Sequence, residues 1–439
     1  MSTVLEQAFP AHIDKQLETW SEALAAEGFD AVLVLAGRPH AVFLDDQHYP
    51  FLANPHFLAW VPGPDLAGAA LIVRQGQRPQ LYLHQPRDYW HAAPKAPAPW
   101  WAKHFDLSTG EAADGWLDLI PSGRIALIAE TPQAACDAEL NPAGLLRRLH
   151  LARTRKSDYE IACLREAQAI ACRGHLAARD AFLAGESELR IHQAYLNASD
   201  QLDTELPYHS IVALNENGAV LHYQWRERQP PQASRSFLID AGGRHLGYCA
   251  DISRSYAEPG EFAELIKALD AAQQSLCDAM RAGTDYGELH HHAHLLVAGI
   301  LRDAGVIHVD PESAVESGLS SVFLPHGLGH FLGLQVHDVA AQLDNDGREC
   351  PPPAMHPHLR LTRSLEAGNV LTVEPGIYFI DSLLAEAAAG EHKSSINWQA
   401  VEALKPYGGI RVEDNVLVTT AAPINLTREA FADLAGGTA

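Results

Sequence analysis

The segment Ser236–Tyr256, with the sequence SFLIDAGGRHLGYCADISRSY, predicts a β-hairpin that carries two aspartates. An apolar run leads into Asp240, a turn rich in glycine follows, and a second strand passes through Asp251. With the turn centred between His245 and Leu246, the two aspartates would face each other across the hairpin, with Cβ atoms about 5 Å apart. Any fold of this chain must therefore accommodate two like charges side by side.

The repulsion between Asp240 and Asp251 indicates what this hairpin binds. Two neighbouring carboxylates both stay ionised only if a cation lies between them, and otherwise one of them takes up a proton. We therefore expect a positively charged ligand at this hairpin.

The composition of the 439-residue chain excludes several classes of function. A net charge of -23 argues against nucleic-acid binding, which depends on a basic surface. The six cysteines show no C-x-x-C spacing, so neither a zinc ribbon nor a disulfide framework is predicted. The amino terminus lacks the pattern of a signal peptide, and no apolar run approaches the roughly 18 residues of a membrane span. We expect a cytoplasmic protein with no nucleic-acid or membrane partner.

The periodicity of apolar residues predicts two domains. Residues 1–154 combine helices and strands in a smaller α/β domain, which begins with a helix over residues 12–28 and a buried strand over residues 31–36. In residues 155–439, helices surround a mostly antiparallel sheet, which is an α+β arrangement. A capping box at Ser157–Glu160 predicts a long helix just after the boundary.

Three further residues have settings that suggest metal binding. Glu374 follows an apolar run, and Glu413 lies in an apolar strand, where an unpaired carboxylate is strongly unfavourable. His330 lies among the glycines of HGLGHFLGLQVHD, which exclude a helical HExxH zinc site. These glycines instead suggest a backbone that passes close to a ligand.

Together these residues form a hard, oxygen-rich donor set. One imidazole with four carboxylates favours Mn²⁺ or another first-row divalent ion. Four carboxylates also balance the charge of two divalent ions, which at a separation of about 3.5 to 4 Å could share a bridging hydroxide as nucleophile. The residues alone thus suggest a dinuclear metal centre.

The order of these residues along the chain resembles that of a known enzyme family. Asp240, Asp251, His330, Glu374 and Glu413 look like the five ligands of the dinuclear pita-bread metallopeptidases, the group that contains methionine aminopeptidase, aminopeptidase P, prolidase and creatinase. Four segments, NENGAVLHY, PHGLGHFLGLQVHDV, LTVEPGIYFIDSLL and LKPYGGIRVEDN, most resemble bacterial Xaa-Pro dipeptidases, including the prolidases also known as organophosphorus acid anhydrolases.

The resemblance implies a fold and an activity. Residues 155–439 would form the pita-bread catalytic domain, and residues 1–154 a creatinase/prolidase-like α/β domain. Each subunit would hold two divalent ions, for which we expect Mn²⁺, with Co²⁺ and Zn²⁺ as alternatives. The substrates would be Xaa-Pro dipeptides, and the enzyme would be a homodimer.

The same resemblance implies roles for residues around the ions. Catalysis is assigned to His222, His337 and Glu374, the last both as a metal ligand and as a proton shuttle. Substrate binding is assigned to Tyr208, His326, Arg360, Arg411 and Asp46. Arg360 would bind the carboxylate of the proline, and Asp46 would reach the site of the other subunit.

Three other functions remain open at this point. The same site would be able to hydrolyse organophosphorus triesters, as a main or a side activity. It would also suit an Xaa-Pro aminopeptidase that acts on longer peptides. A binding protein that has lost catalysis is disfavoured, because it would be expected to lack a ligand or His222, and all are present.

Two remaining features have simpler interpretations. The histidines of Glu288–Leu296, ELHHHAHLL, point to different faces of a helix, so we predict a solvated helix surface there. Cys249 shares a strand face with Asp251, and we predict a packed thiol, with an oxidation-sensitive site as the alternative.

Overall fold

A computed structural model of the chain describes residues 2–63, 66–87, 89–90, 96–133 and 136–436. The described chain divides into two compact units. The first runs to Cys163 and includes His245–Tyr248, and the second comprises Leu164–Arg244 and continues from Cys249. This division passes within a helix, so the predicted domain boundary between residues 154 and 155 stays a prediction.

The first unit begins with a long helix and contains short strands. Its helices are α1 (Ser2–Glu27), α2 (Pro55–Leu58), α3 (Pro99–Ala102) and α4 (Ala143–Arg153), and its strands are β1 (Ala31–Leu35), β2 (Ala70–Arg74), β3 (Gln80–His84), β4 (Asp106–Gly110), β5 (Ile125–Ile128) and β6 (Glu139–Leu140). The helix predicted over residues 12–28 and the strand predicted over residues 31–36 are confirmed, the helix as part of the longer α1.

The described strands of the first unit form one mixed sheet in the order β4-β3-β2-β1-β5-β6. β1 pairs antiparallel with β2 and parallel with β5. Apart from Arg74 at the end of β2, all three consist of apolar residues and are almost fully buried, and Leu33, Ile72 and Leu127 pack with Trp116 in one core cluster. This arrangement agrees with the predicted α/β unit.

The predicted capping box is confirmed at the start of the next helix, α5 (Asp158–Leu183). The backbone nitrogen of Ser157 donates to Oε2 of Glu160 at 2.8 Å. In return, the backbone nitrogen of Glu160 donates to Oγ of Ser157 at 3.4 Å. Two of the backbone donors at the start of the helix are satisfied in this way.

The second unit, from Leu164 of α5 onward, mixes helices with short antiparallel strands. Its further helices are α6 (Glu188–Ser199), α7 (Glu261–Ala279), α8 (Tyr286–Asp303), α9 (Pro311–Glu316), α10 (Ser320–Phe323), α11 (Asp381–Ala389), α12 (Trp398–Leu404) and α13 (Leu426–Gly436). Its strands are β7 (Ile211–Leu214), β8 (Ser236–Asp240), β11 (Ser253–Ala257), β12 (Val370–Val373), β13 (Gly376–Tyr378), β14 (Gly409–Arg411), β15 (Asp414–Leu417) and β16 (Ile424–Asn425), and the short strands β9 (Arg244–His245) and β10 (Tyr248–Cys249) each have one residue in either unit.

The described strands of the second unit pair in small antiparallel sheets. β8 lies between β7 and β11, β15 lies between β12 and β16, and β13 pairs with β14. The helices that follow bury apolar faces, such as that of Phe262, Leu265 and Leu269 in α7. The predicted α+β arrangement is therefore confirmed.

The register of the hairpin differs from the prediction. Asp240 pairs with Ser253, so Asp251 is not its cross-strand partner. The turn is centred on Leu246 and Gly247, which have φ angles of 48° and 92°. Two successive positive φ angles are typical of a type I′ turn, whose twist matches that of the flanking strands. The predicted turn centre between His245 and Leu246 is therefore wrong, and the partner of Asp240 moves by two residues, an even shift that keeps the same strand face.

The prediction of a solvated helix surface at ELHHHAHLL is wrong for two of its four histidines. His290 and His294 are each 1% exposed, whereas His291 and His292 are exposed. Residues four apart lie on one helix face, so the buried pair lies on the inner side of α8. The prediction failed because it treated the four histidines as one surface.

Among the described residues, no helix is both long and apolar enough to cross a membrane.

Glu188, in the first turn of α6, is 1% exposed and holds the chain that follows β7. Its carboxylate accepts hydrogen bonds from the backbone nitrogen of Leu214 at 2.9 Å and from Nδ2 of Asn217 at 2.9 Å. It also accepts from the hydroxyl of Tyr223 at 2.8 Å and from the backbone nitrogen of Glu227 at 2.8 Å. A single buried carboxylate thus fixes a loop of irregular backbone.

Replacing Glu188 with alanine should lower the free energy of unfolding by about 3 kcal/mol, because four donors lose a charged acceptor. The measurement is urea denaturation followed by circular dichroism. Glu186→Ala, two residues earlier and exposed, is the matched control and should change stability by less than about 0.5 kcal/mol. A loss for Glu188→Ala no larger than that of the control would contradict this role.

Candidate active site

Asp240 and Asp251 meet at the end of β8 through one tyrosine. The hydroxyl oxygen of Tyr208 lies 2.7 Å from Oδ1 of Asp240 and 2.5 Å from Oδ1 of Asp251, so its proton can be donated to either carboxylate. Asp240 also accepts a hydrogen bond of 2.7 Å from Nη2 of Arg411. The two carboxyl groups are therefore neighbours, although their backbone positions are not cross-strand partners.

His330 lies between two of the predicted carboxylate ligands. Its Nε2 is 3.4 Å from Oδ2 of Asp251 and 3.6 Å from Oε1 of Glu374. Its Nδ1 lies 3.0 Å from the carbonyl oxygen of Phe331, which only accepts hydrogen bonds, so Nδ1 carries the proton. Nε2 therefore faces the carboxylates, the orientation that a metal ligand requires. Burial lowers the pKa of His330, but the hydrogen bond to Asp251 and the charge of Glu374 raise it overall, so the carboxylates favour a proton on Nε2 that a bound metal ion would displace.

The glycines beside His330 allow close backbone packing. A Cβ on Gly329 would lie 2.1 Å from the carbonyl oxygen of Thr372, so only glycine fits here. This close approach lets the backbone nitrogen of His330 donate to Oγ1 of Thr372 at 3.0 Å. Gly329 thus packs against strand β12, which places His330 beside Glu374. The expected approach of these glycines to a ligand stays a prediction.

Glu413, between β14 and β15, completes the cluster. It is 2% exposed, and its backbone forms an isolated β-bridge with Ser253. The hydroxyl of Ser253 donates to Oε2 of Glu413 at 2.7 Å. One donor atom from each of Asp251, His330 and Glu413 lies within 4.8 Å of the other two, an arrangement able to hold a metal ion.

The structure thus brings together the five residues predicted as metal ligands. The contacts above connect Asp240, Asp251, His330, Glu374 and Glu413. We name this set the acidic cluster. Three of its carboxylates lie at strand ends, and that of Asp251 lies in the segment between β10 and β11.

Burial perturbs the protonation of the acidic cluster. Burial, reinforced by the neighbouring carboxylates, raises the pKa of Glu413 well above its usual range. Burial raises the pKa of Glu374 to about 7. Burial also raises the pKa of Asp240, against the charge of Arg411. Burial opposes ionisation of Asp251 too, but the adjacent His330 lowers its pKa overall. One aspartate of the pair therefore holds its proton more tightly than the other, as their repulsion requires.

Arg411 is a buried guanidinium, 5% exposed, whose donors point at protein groups. Nε donates to Oγ of Ser253 at 2.9 Å, Nη1 to the hydroxyl of Tyr378 at 2.9 Å, and Nη2 to Asp240 at 2.7 Å. These bonds orient Asp240. The predicted role of Arg411 in substrate binding stays a prediction.

His326 lies on the other side of Tyr378 from this arginine. Its Nδ1 donates to the carbonyl oxygen of Gly327 at 2.8 Å, so its Nε2 accepts from the hydroxyl of Tyr378 at 2.8 Å. The same Nδ1 is 3.9 Å from Oε2 of Glu374. A chain of hydrogen bonds therefore runs from the buried arginine through Tyr378 to the imidazole beside Glu374.

Three residues of this network were missed by sequence reasoning. Tyr378, Ser253 and Thr372 contact members of the acidic cluster or their partners. Each lies two or four residues along a strand or strand end from a predicted ligand. Because side chains alternate faces along a strand, this even spacing was an available signal.

The other predicted catalytic residues are His222 and His337, and Arg360 is the residue predicted to bind the substrate carboxylate. His222, His337 and Arg360 are exposed. The rings of His337 and His330 have centroids 4.3 Å apart. Partial burial and then the positive charges of His330 and Arg360 lower the pKa of His337 to about 4, with a smaller effect from His222. His337 is therefore a neutral imidazole at physiological pH.

The backbone near Arg360 packs closely on the segment that precedes His330. A Cβ on Gly327 would lie 3.0 Å from the carbonyl oxygen of His358 and 3.3 Å from the backbone nitrogen of Arg360. Glycine at this position therefore brings Arg360 beside His326.

Asp46 lies in the first unit, on an exposed loop closed by a bridge between Ala41 and His48. Its predicted contact is with a second subunit, so its role stays a prediction.

Cys249 is a packed thiol, as predicted. It is buried, and burial raises the pKa of its thiol to about 11. A thiol with such a pKa has little of the thiolate form that oxidants attack, which disfavours the oxidation-sensitive alternative.

Two family models and several named relatives match this chain. A family model described as metallopeptidase family M24 matches residues 162–420, and one described as the amino-terminal domain of Xaa-Pro dipeptidase matches residues 7–151. The chain is 49% identical over 418 residues to a protein named Xaa-Pro dipeptidase from Stenotrophomonas maltophilia (strain R551-3), with 94% of each chain covered. It is 48% identical over 435 residues to one of the same name from Xanthomonas euvesicatoria, with 98% of each covered.

Solved structures show the same fold. Escherichia coli aminopeptidase P, zinc-substituted and in complex with product, matches with a TM-score of 0.72 at 21% identity, and 99% of each chain is covered. The same enzyme with the inhibitor Pro-Leu matches with a TM-score of 0.72 over 98% of each chain. The predicted pita-bread fold, preceded by a smaller amino-terminal domain, is confirmed. With a family match over more than half its length and relatives nearly 50% identical, this chain belongs to metallopeptidase family M24.

Proposed function

We propose that this protein is an Xaa-Pro dipeptidase, a metal-dependent hydrolase of dipeptides with a carboxyl-terminal proline. The observation that carries the proposal is the convergence of four carboxylates and one imidazole in the acidic cluster. The relatives that are 48% and 49% identical over nearly the whole chain, and that are named Xaa-Pro dipeptidase, supply the substrate class.

The donors of the acidic cluster fit two divalent ions. We propose that Asp240, Asp251, His330, Glu374 and Glu413 hold them, with Mn²⁺ as the expected ion and Co²⁺ or Zn²⁺ as alternatives. The raised pKa of Glu413 reflects the cost of ionising a buried carboxyl among others, a cost that two divalent cations would offset. When bound, such a pair supplies an acidified water as nucleophile and a Lewis acid at the substrate carbonyl.

Glu374 is suited to move a proton during the reaction. A carboxyl whose pKa burial raises to about 7 can hold a proton near neutral pH and give it up again. The nitrogen of proline is a poor leaving group until it is protonated, so Glu374 would relay a proton to that atom. Nδ1 of His326 lies 3.9 Å from Oε2 of this carboxyl.

The exposed histidines are suited to bind the reacting carbonyl. His222 would donate a hydrogen bond to the oxyanion that develops on the scissile carbonyl oxygen. His337, neutral and next to His330, would contact the same part of the substrate. Tyr208, His326 and Arg411 would line the site, while the bonds of Tyr208 and Arg411 keep Asp240 in place.

Arg360 is suited to bind the carboxylate of the substrate. Arg360 is exposed, its charge acts on His337, and the planar fork of a guanidinium matches a carboxylate in two parallel hydrogen bonds. The nitrogen of the scissile bond belongs to proline and carries no hydrogen, so the carboxylate is the charged group by which an enzyme can bind the proline side of an Xaa-Pro dipeptide.

The assembly and the location of the enzyme are also proposed. The enzyme would be a cytoplasmic homodimer in which the exposed Asp46 of one subunit completes the site of the other. Residues 1–154 and 155–439 would be its two domains.

Asp251→Asn tests the acidic cluster as the metal centre. The change removes a charged donor that faces both Asp240 and His330, so bound metal should fall and turnover of Ala-Pro should drop at least about 1,000-fold. Metal analysis, circular dichroism and turnover are measured together. Asp278→Asn, an exposed site on α7, is the control and should keep both metal and activity. Normal turnover by folded Asp251→Asn would refute the dinuclear centre.

Arg360→Ala tests the carboxylate contact. Loss of hydrogen bonds to a charged group, worth about 1.5 to 3 kcal/mol, should raise KM for Ala-Pro about 10- to 100-fold with little change in kcat. Arg348→Ala, an exposed arginine that pairs with Asp346, should leave KM unchanged. If the parent enzyme bound Ala-Pro amide as tightly as Ala-Pro, this role of Arg360 would be wrong.

A substrate panel separates the dipeptidase from the two enzymatic alternatives. The kcat/KM for Leu-Pro and Ala-Pro should exceed that for the tripeptide Ala-Pro-Ala by about 100-fold or more, because the tripeptide places its carboxylate away from Arg360. An organophosphorus triester should be a weaker substrate than either dipeptide. Equal efficiency on Ala-Pro and Ala-Pro-Ala would favour an aminopeptidase, and higher efficiency on the triester would favour an anhydrolase.

A further inference from the structure

Three imidazoles meet in the second unit outside the acidic cluster. His290 and His294 lie one helical turn apart on α8, and His356 comes from the loop of residues 350–359. The ring centroids are 4.7 Å apart for His290 and His294, 4.4 Å for His290 and His356, and 4.7 Å for His294 and His356. One ring nitrogen from each lies within 4.8 Å of the other two. We name this set the histidine cluster.

One buried ring nitrogen of the histidine cluster makes no hydrogen bond to the described residues. Within the described part of the chain, Nδ1 of His290 has no hydrogen-bond partner, although the residue is 1% exposed. Buried polar atoms are nearly always paired, so a nitrogen left in this state calls for a ligand. Nδ1 of His294 lies 2.9 Å from Oγ of Ser320, a contact that can fix its tautomer.

The protonation of the histidine cluster also suits a cation. Burial, and then the neighbouring histidines, lower the pKa of His290 to about 2 and that of His294 to about 3. Burial likewise lowers the pKa of His356. At physiological pH the rings are therefore neutral, which is the form that ligates metals.

An open cavity of about 230 Å³ gives access to the histidine cluster. Its described lining includes His290, His294, His356, His326 and His358, and no carboxylate is among the described residues that line it. The cavity has room for an entering ion and for a water as a fourth ligand. Three neutral nitrogens without a carboxylate favour late first-row ions over Mn²⁺, Mg²⁺ or Ca²⁺.

We propose that His290, His294 and His356 bind one late first-row divalent ion, of which Zn²⁺ is the representative, at a site separate from the acidic cluster. A tetrahedral ion with bonds of about 2.05 Å holds its ligand nitrogens roughly 3.3 Å apart, so the three rings must draw together from their present spacing. The half-buried His356, on its loop, is the ligand best able to move. The ion would thereby tie residues 350–359 to α8.

The test measures Zn²⁺ itself rather than activity. The full-length chain is stripped with a chelator and dialysed against micromolar Zn²⁺, and bound zinc per chain is determined for the parent protein, His356→Ala and His292→Ala. His292 is exposed on the same helix and serves as the matched control for nonspecific imidazole binding. The parent and His292→Ala should bind one more zinc per chain than His356→Ala.

The same measurement in a chain with a disabled acidic cluster distinguishes zinc bound at the histidine cluster from zinc bound at the acidic cluster. In an Asp251→Asn/Glu413→Gln chain, one zinc per chain should still bind, and His356→Ala should remove it. Equal zinc content with and without His356 in folded protein, shown by circular dichroism, would overturn the proposal. The outcome is independent of the proposed peptidase activity, because absence of Ala-Pro hydrolysis would leave the difference in bound zinc unchanged.

Discussion

The repulsion among buried carboxylates is the constraint on which the rest of the second unit depends. Asp240, Asp251, Glu374 and Glu413 lie together, and each is offset by a specific neighbour. The buried charge of Arg411 faces one aspartate, and the imidazole of His330 lies between the other aspartate and Glu374. Burial still raises the pKa of three of the four carboxyl groups, so the protein alone does not neutralise the cluster. The proposed divalent cations would complete the balance of charge.

The small antiparallel sheets hold these groups at fixed positions. Asp240 ends β8, Glu374 follows β12, and Glu413 precedes β15, so each carboxylate projects from a strand end rather than from a long loop. Sites supported by strands keep their geometry better than sites on loops. The residues proposed to contact the substrate differ, because His222 and Arg360 lie in irregular, exposed segments. The carboxylates are therefore held more rigidly than the exposed His222 and Arg360.

Two clusters of different donor chemistry lie in one unit. The acidic cluster offers oxygen atoms and negative charge, which suit hard divalent ions, and the histidine cluster offers neutral nitrogen, which suits late first-row ions. His326 is near both, since it lines the cavity of the histidine cluster and lies 3.9 Å from Glu374. Different donors allow the two sites to select different ions in the same cell.

The sequence by itself determined the nature of the acidic cluster and the class of fold. Apolar strands that end in a lone carboxylate, and a hairpin with two aspartates, are local patterns that the covalent order of residues fixes. Only the tertiary structure decided the register of that hairpin, because Leu246 adopts a positive φ that its residue type does not favour. Only the tertiary structure revealed Tyr378 as the link between Arg411 and His326. It also buried His290 and His294, because the segment that covers them lies some sixty residues further along the chain, beyond the reach of local periodicity.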